Sequence, residues 1–125
     1  MNNLKRTEAF LEAWNQKDVN TIVGTVSEDI AYHNIPMEPV NGRAAFEQAI
    51  SPFIGMANEI VWETLFIAES ESGEVLTERV DHFHLKSGET VSMRVMGIFE
   101  WSTTGELLKW RDYFDLAEFR DQMPG

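Results

Sequence analysis

The chain has 125 residues and no cysteine, and its 21 Asp and Glu against 10 Lys and Arg give a formal charge of −11. The lack of cysteine excludes disulfides, thiolate metal ligands and a cysteine nucleophile, and the negative charge disfavours nucleic acid and anionic membrane surfaces as partners. We expect one domain over residues 1–125. Charged side chains interrupt the apolar ones near Met1, so we expect a cytoplasmic protein with neither a signal peptide nor a membrane span.

Three helices are predicted in the N-terminal half of the chain. Apolar residues recur at helical spacing from Leu4 to Trp14. Asp18 offers an N-cap for a shorter second helix. A third helix begins near Arg43 and is weakened at Pro52. Such helices have an apolar stripe that must pack against another element.

A short strand separates the second and third helices. Residues 27–29 are predicted to form a turn out of the second helix, and Pro36 and Pro39 end the strand that follows, because proline cannot continue a ladder. Successive side chains of a strand point to opposite faces, so Tyr32 and Asn34 lie on one face.

Strands dominate the rest of the chain, with turn residues between them. The predicted elements are strands over residues 60–69, 74–85, 90–102 and 107–115, and a short C-terminal helix over residues 116–123. Helices followed by hairpin-connected strands indicate an α+β fold, in which the three N-terminal helices cover a curved mixed or antiparallel β-sheet that forms a cone. An apolar pocket with a few polar groups is expected at the mouth of this cone.

Two of the predicted strands carry charged residues where a core is expected. In residues 77–85, read T-E-R-V-D-H-F-H-L, Arg79 and Asp81 share a face with Phe83. The last strand has one carboxylate in an apolar row that we predict to share a face: Leu108, Trp110, Asp112 and Phe114. An isolated buried charge is costly, so we expect Arg79 to lie between Asp81 and Asp112 inside the cone.

Several segments of the sequence resemble the limonene-1,2-epoxide hydrolase family, which has the nuclear transport factor 2-like fold. These segments are residues 32–37 (Y-H-N-I-P-M), 42–43 (G-R), 77–81 (T-E-R-V-D), 97–99 (G-I-F) and 110–116 (W-R-D-Y-F-D-L). The resemblance implies an Asp–Arg–Asp triad formed by Asp81, Arg79 and Asp112, with Tyr32 and Asn34 holding a water molecule. The acid and base chemistry of these side chains calls for no cofactor and no metal.

The chain departs from this family in three respects. Its N-terminal arm is shorter, and His82 follows the motif aspartate where an aliphatic residue is familiar. Phe83 and Met93 change the row that would line the pocket, so the family's substrate size is not carried over. We expect the substrate-binding wall to consist of four residues: Phe83, Met93, Val95 and Phe114.

The predicted function is hydrolysis of a neutral, apolar small-molecule epoxide to a vicinal diol by direct attack of water. Ionised Asp112 would be the general base, protonated Asp81 would donate to the epoxide oxygen, and Arg79 would let the two carboxylates share one proton. We expect a homodimer, because an open sheet only partly covered by helices leaves apolar surface exposed.

Other interpretations of the same residues stay open. Without the resemblance, Arg79 and Asp81 are more readily a surface ion pair. A lyase or isomerase of the same cone, of the steroid isomerase or polyketide cyclase type, is the second hypothesis for the function. A non-catalytic ligand-binding or dimerisation module is the third.

The H-x-H pair His82 and His84 lies on the strand face opposite Arg79 and Asp81. Such a pair can hold a metal when a third ligand converges, for which His33 and Glu78 are candidates. No second motif supports that reading, so we favour a structural or interface role for both histidines.

Overall fold

Residues 1–124 are described by a computed structural model, in which three helices and a six-stranded sheet precede a short last helix. The elements are α1 (Asn3–Asn15), α2 (Val19–Thr25), β1 (Val26–Asn34), β2 (Val40–Asn41), α3 (Arg43–Gly55), β3 (Ala57–Glu69), β4 (Val75–Leu85), β5 (Thr90–Trp101), β6 (Leu107–Tyr113) and α4 (Leu116–Arg120). The predicted α+β cone is confirmed. None of the helices in residues 1–124 is long and apolar enough to cross a membrane.

Side-chain caps fix the starts of the first two helices. The Asn2 side chain accepts a hydrogen bond from the Lys5 backbone N–H at 2.8 Å, and the predicted N-cap Asp18 accepts one from the Thr21 N–H at 3.1 Å. These bonds satisfy backbone donors that have no partner within the helix. The inner stripe of α1, including Trp14, is buried against the sheet.

The sheet has the strand order β2-β1-β6-β5-β4-β3. Strands β3 to β6 pair with their sequence neighbours and are antiparallel, whereas β1 pairs with β6 in parallel. Asn34 thereby lies opposite Asp112, and Tyr32 lies opposite Trp110. The parallel pair brings the N-terminal third of the chain beside its last strand.

A β-bulge at the start of β6 contradicts one sequence prediction. Trp101 pairs with Leu107, but Glu100 pairs with Lys109, so Leu108 is an extra residue in the ladder. Leu107 and Trp110 are fully buried, whereas Leu108 is 38% exposed. Our prediction that Leu108 shares the inner face of Trp110 was therefore wrong.

The predicted turn at residues 27–29 was also wrong. These residues continue β1, where the register against β6 shifts between the Val26–Leu107 and Ala31–Lys109 pairs. Four residues of β1 therefore lie opposite one residue of β6, and the excess is absorbed as a local irregularity rather than a chain reversal.

Candidate active site

Arg79 lies between Asp81 and Asp112, as the sequence predicts. Its Nε donates to Asp81 Oδ1 at 3.0 Å, and its Nη2 donates both to Asp81 Oδ2 and to Asp112 Oδ2 at 2.9 Å. Arg79 is fully buried, and the two carboxylates are 2% and 5% exposed. The surface ion-pair interpretation is excluded for this arrangement, because all three groups are withdrawn from solvent.

The register of three neighbouring strands explains why these groups meet. Thr77 on β4 lies opposite Gly97 on β5, and Gly97 lies opposite Asp112 on β6. A methyl group at Gly97 would lie only 2.5 Å from Arg79 Nη1, so glycine makes room for the guanidinium to cross β5. Thr77 Oγ1 accepts a hydrogen bond from Arg79 Nη1 at 3.1 Å, which helps to fix the orientation of the guanidinium.

Asp112 accepts hydrogen bonds from two residues, whereas Asp81 accepts side-chain hydrogen bonds from Arg79. The indole N–H of Trp110 donates to Asp112 Oδ1 at 2.7 Å, and Arg79 Nη1 reaches the same oxygen at 3.3 Å. Hydrogen bonds to a carboxylate favour its ionised form. Asp112 thus accepts three side-chain hydrogen bonds, whereas Asp81 accepts two.

Burial raises the pKa of two other acidic groups of the cluster, Asp81 and Tyr32. It raises the pKa of Asp81, and the Arg79 guanidinium offsets this effect only in part. Burial, followed by the charge of Asp112, also raises the pKa of Tyr32 above its ordinary value, so the phenol keeps its proton. The cluster therefore combines a carboxyl with a raised pKa, a second carboxyl that accepts three hydrogen bonds and a phenol able to donate.

Tyr32 and Asn34 lie beside Asp112, as predicted. The Asn34 amide donates to the Tyr32 hydroxyl at 2.9 Å. This bond leaves the hydroxyl proton of Tyr32 and the amide oxygen of Asn34 available to a third group. With the Asp112 carboxylate opposite Asn34 in the ladder, the three side chains can hold one water molecule by one donor and two acceptors.

These polar groups lie in the wall of an otherwise apolar cavity of about 260 Å³. All four predicted substrate-binding residues line it: Phe83, Met93, Val95 and Phe114. Sequence reasoning missed other parts of the wall: Trp14 from α1, Ile50 and Phe53 from α3, Trp62 from β3, Met37 and Glu38 from the loop after β1, and Phe119 from α4. Periodicity indicates that the helix and strand residues of this set are buried, but not that they face a cavity.

The histidines of the H-x-H pair lie on the other face of the sheet, as expected. His82 Nδ1 hydrogen-bonds with Ser92 Oγ at 2.7 Å, and His84 Nδ1 hydrogen-bonds with Thr90 Oγ1 at 3.0 Å. Within residues 1–124, no cluster of three His, Cys, Asp or Glu side chains could hold a metal. The third ligand that a metal site would need is therefore not brought to this pair.

The fold and the site together define a nuclear transport factor 2-like cone with a buried carboxylate–guanidinium–carboxylate cluster in an apolar cavity. The chain belongs to the limonene-1,2-epoxide hydrolase family, since residues 1–124 match the model of the limonene-1,2-epoxide hydrolase catalytic domain. The family resemblance predicted from sequence motifs is confirmed.

Individual relatives agree with this assignment. The chain is 28% identical over 111 residues to epoxide hydrolase EphG of Mycobacterium tuberculosis, covering 89% of this chain and 72% of that protein. It is 26% identical to the structure of an M. tuberculosis LEH-like epoxide hydrolase, with a TM-score of 0.81 over 96% of this chain and 87% of that one. SalBIII, an epoxide hydrolase/cyclase-like enzyme in pyran ring formation, superposes with a TM-score of 0.83 over 93% and 92% of the two chains, but at 15% identity this shows the fold alone.

Proposed function

We propose that this protein is a cofactor-independent epoxide hydrolase that converts a neutral small-molecule epoxide to a vicinal diol. The observation that carries the proposal is the shared guanidinium nitrogen, because Arg79 Nη2 is 2.9 Å from an oxygen of both Asp81 and Asp112. Two carboxylates this close do not both ionise cheaply, so one proton resides on the pair. Asp112 has the additional indole donor and Asp81 the raised pKa, and both features support Asp81 as the group that carries the proton.

The reaction then proceeds in one step. Tyr32, Asn34 and Asp112 hold the water molecule, whose oxygen attacks an epoxide carbon while a proton passes to Asp112. The carbon–oxygen bond of the ring breaks, and Asp81 gives its proton to the developing alkoxide. The product is a diol, and transfer of the proton from Asp112 back to Asp81 restores the site.

The competing isomerase or lyase hypothesis fits the site less well. Proton transfer along a carbon skeleton requires a base beside a separate oxyanion donor and no group that holds water. Here the Tyr32–Asn34 pair presents a donor and an acceptor next to the proposed base, which supports hydrolysis. The non-catalytic hypothesis leaves the raised pKa of Asp81 without a role.

Isotope labelling tests the reaction directly. A panel of small epoxides is screened for diol formation, and the best substrate is hydrolysed in ¹⁸O-labelled water under single-turnover conditions. We expect label in the diol of the first turnover, because solvent supplies the attacking oxygen. Unlabelled oxygen in the first diol would mean an ester with an aspartate and would contradict direct attack; no diol from any epoxide would contradict the proposed function.

Substitutions test the assignment of the residues. Asp81→Asn, Asp112→Asn and Arg79→Gln should each lower turnover about a hundredfold or more, the usual scale for a positioned acid or base. The double aspartate variant should be little worse than either single one, because residues that act as a unit are not additive. Asp29→Asn, on an exposed part of β1, is the matched control and should keep parent turnover.

A further inference from the structure

A second cavity lies between α1, α2 and the turn after β5. Its volume is about 180 Å³, and its wall includes the apolar rings of Phe10 and Trp101 and one charged side chain, Arg6. Among residues 1–124, it shares no lining residue with the cavity that contains Asp112. Phe10 packs edge-on against Trp110, whose indole donates to Asp112, so the two cavities lie on different sides of the aromatic core.

The guanidinium of Arg6 is held against the wall of this second cavity. Its Nη1 donates to Asn3 Oδ1 at 2.9 Å, and Asn3 is itself fixed because its Nδ2 donates to the Gly73 carbonyl at 2.9 Å. The opposite edge of the guanidinium lies over Gly105, another residue of the wall, because a methyl group there would be 3.1 Å from Nε and 3.5 Å from Nη2. The Nε–Nη2 edge of Arg6 therefore borders the cavity.

This edge of Arg6 has no protein partner within the described residues 1–124. Neither Nε nor Nη2 donates a hydrogen bond there, and no carboxylate lies within 4.0 Å of the guanidinium. Four other arginines each have a carboxylate within that distance: Arg43, Arg79, Arg94 and Arg111. Both nitrogens remain accessible to a small molecule, since Arg6 is only half-buried and neither is one of the sealed, unpartnered polar atoms.

The other polar side chains of the wall have already used their protons. Thr21 Oγ1 donates to Asp18 Oδ2 at 2.6 Å, and Thr25 Oγ1 donates to the Thr21 carbonyl at 2.7 Å. The indole of Trp101 donates to Thr7 Oγ1 at 2.9 Å. The side-chain donors left for a ligand are therefore the two parallel N–H groups of Arg6, a geometry that fits the two oxygens of a carboxylate.

Local charge also favours a carboxylate in this cavity. Its wall contains no Asp or Glu among the described residues, whereas Asp81, Asp112 and Glu38 line the first cavity. The net charge of −11 acts on an anion from a distance and is screened over about 10 Å at 0.1 M salt. Contact with an accessible guanidinium therefore outweighs it at this site.

We propose that the second cavity binds a small carboxylic acid with an apolar body, in its ionised form. The two carboxylate oxygens accept hydrogen bonds from Arg6 Nε and Nη2, and the apolar body packs against Phe10 and Trp101. Both parts are required, because an acid without a body leaves the rings uncovered and a neutral analogue loses the charge-assisted pair. This site does not depend on the proposed hydrolase activity.

A titration of the unsubstituted protein with three probes tests the ligand class. Benzoate is compared with benzamide, which has a neutral amide, and with acetate, which has no apolar body, at about pH 6 and constant ionic strength, where the acids are ionised. We expect benzoate to move the Arg6 Nε–H and Trp101 indole signals in a ¹H–¹⁵N spectrum, and to leave the indole signal of Trp62, in the wall of the first cavity, unchanged. Benzamide and acetate should each bind at least about tenfold more weakly, the scale of a hydrogen bond to a charged group.

Three results of this titration would overturn the proposal. They are the absence of any shift with benzoate, equal affinity for benzoate and either of the other probes, and shifts confined to Trp62. These results are read from the unsubstituted protein and do not depend on the folding of any variant.

A substitution of Arg6 tests which group binds the carboxylate. Arg6→Gln should raise the Kd for benzoate at least about tenfold, followed through the Trp101 indole signal, and should leave the weak binding of benzamide unchanged. Arg120→Gln is the matched control, because Arg120 is exposed on α4 and lines neither cavity, and it should keep the parent Kd. Equal loss of binding in both variants would mean attraction by overall charge, and unchanged binding in Arg6→Gln would exclude the guanidinium; either result would refute the proposed site.

Discussion

Substituting Gly97 by alanine tests whether the position of Arg79 relative to Asp112 sets the rate. The added methyl carbon would lie closest to Asp112 Oδ1, and it would be 2.5 Å from Arg79 Nη1 and 3.1 Å from Thr77 Oγ1. Ordinary contacts between such atoms are about 3.5 Å, so the guanidinium and the carboxylate must separate by about 1 Å. Overpacking of this kind costs about 1–3 kcal/mol of stability.

The expected loss of activity is larger than the loss of stability. A displacement of about 1 Å among reacting groups can lower the rate by about a hundredfold, so kcat of Gly97→Ala should fall by that factor while the variant still unfolds cooperatively at a somewhat lower temperature. Turnover on the best epoxide and thermal unfolding followed by circular dichroism are measured together.

Gly24→Ala provides the control for Gly97→Ala. A methyl group at Gly24 in α2 meets no atom within 4 Å, and alanine in a helix is favoured over glycine by about 0.5–1 kcal/mol. This variant should be slightly more stable and fully active. Parent turnover in a folded Gly97→Ala protein would refute the reasoning that the crossing of β5 by Arg79 controls catalysis.

Three further predictions concern pH, assembly and metals. Because burial raises the pKa of Asp81, turnover should be lost as pH rises through that raised pKa, and the contribution of this group to stability, present at low pH, should be lost over the same range; a pH–rate profile whose alkaline limb is absent would count against Asp81 as the acid. We propose a homodimer formed through the outer sheet face, where Met96 is 48% exposed. Met96→Glu should halve the mass in sedimentation equilibrium, while the same change at Met56, 40% exposed at the end of α3, should not; a parent that is monomeric at micromolar concentration would exclude the dimer. Prolonged chelation should leave turnover intact, and a loss restored by Zn²⁺ would assign a ligand role to His82 and His84.

The half of the site on β4 could be predicted from sequence because it depends only on local geometry. Alternation along one strand suffices to put Arg79 and Asp81 on the same face as Phe83, and burial of β4 follows that alternation without interruption. Asp112 could be added because its apolar neighbours made an isolated charge costly there. Arg79 could be named as the partner of Asp112, but the strand register that brings these two residues together could not be predicted.

The parts that were missed depend on long-range register. Leu108 was assigned to the inner face because alternation was extended across a bulge that only the pairing of β5 with β6 reveals. The Trp14–Trp62 stack joins a helix to an edge strand, and the neighbouring Asn15 hydrogen-bonds with the Trp62 backbone across a sequence separation of 47. Nothing in either local pattern distinguishes an indole in a cavity wall from one in a packed core.

The place of β6 in the strand order also determines when the site can first exist. β6 is the last strand in sequence, yet it lies between β1 and β5. A nascent chain that has emerged from the ribosome only as far as β5 can form the β3–β4–β5 meander and pair Arg79 with Asp81, but it has neither Asp112 nor the strand that joins the β1–β2 pair to β5. Closure of the sheet around β6 is a non-local event, which topology makes slow relative to hairpin formation. The proposed base Asp112 and the proposed water-holding pair therefore meet Asp81 only once β6 is in place, and a chain that ends before β6 lacks the proposed site.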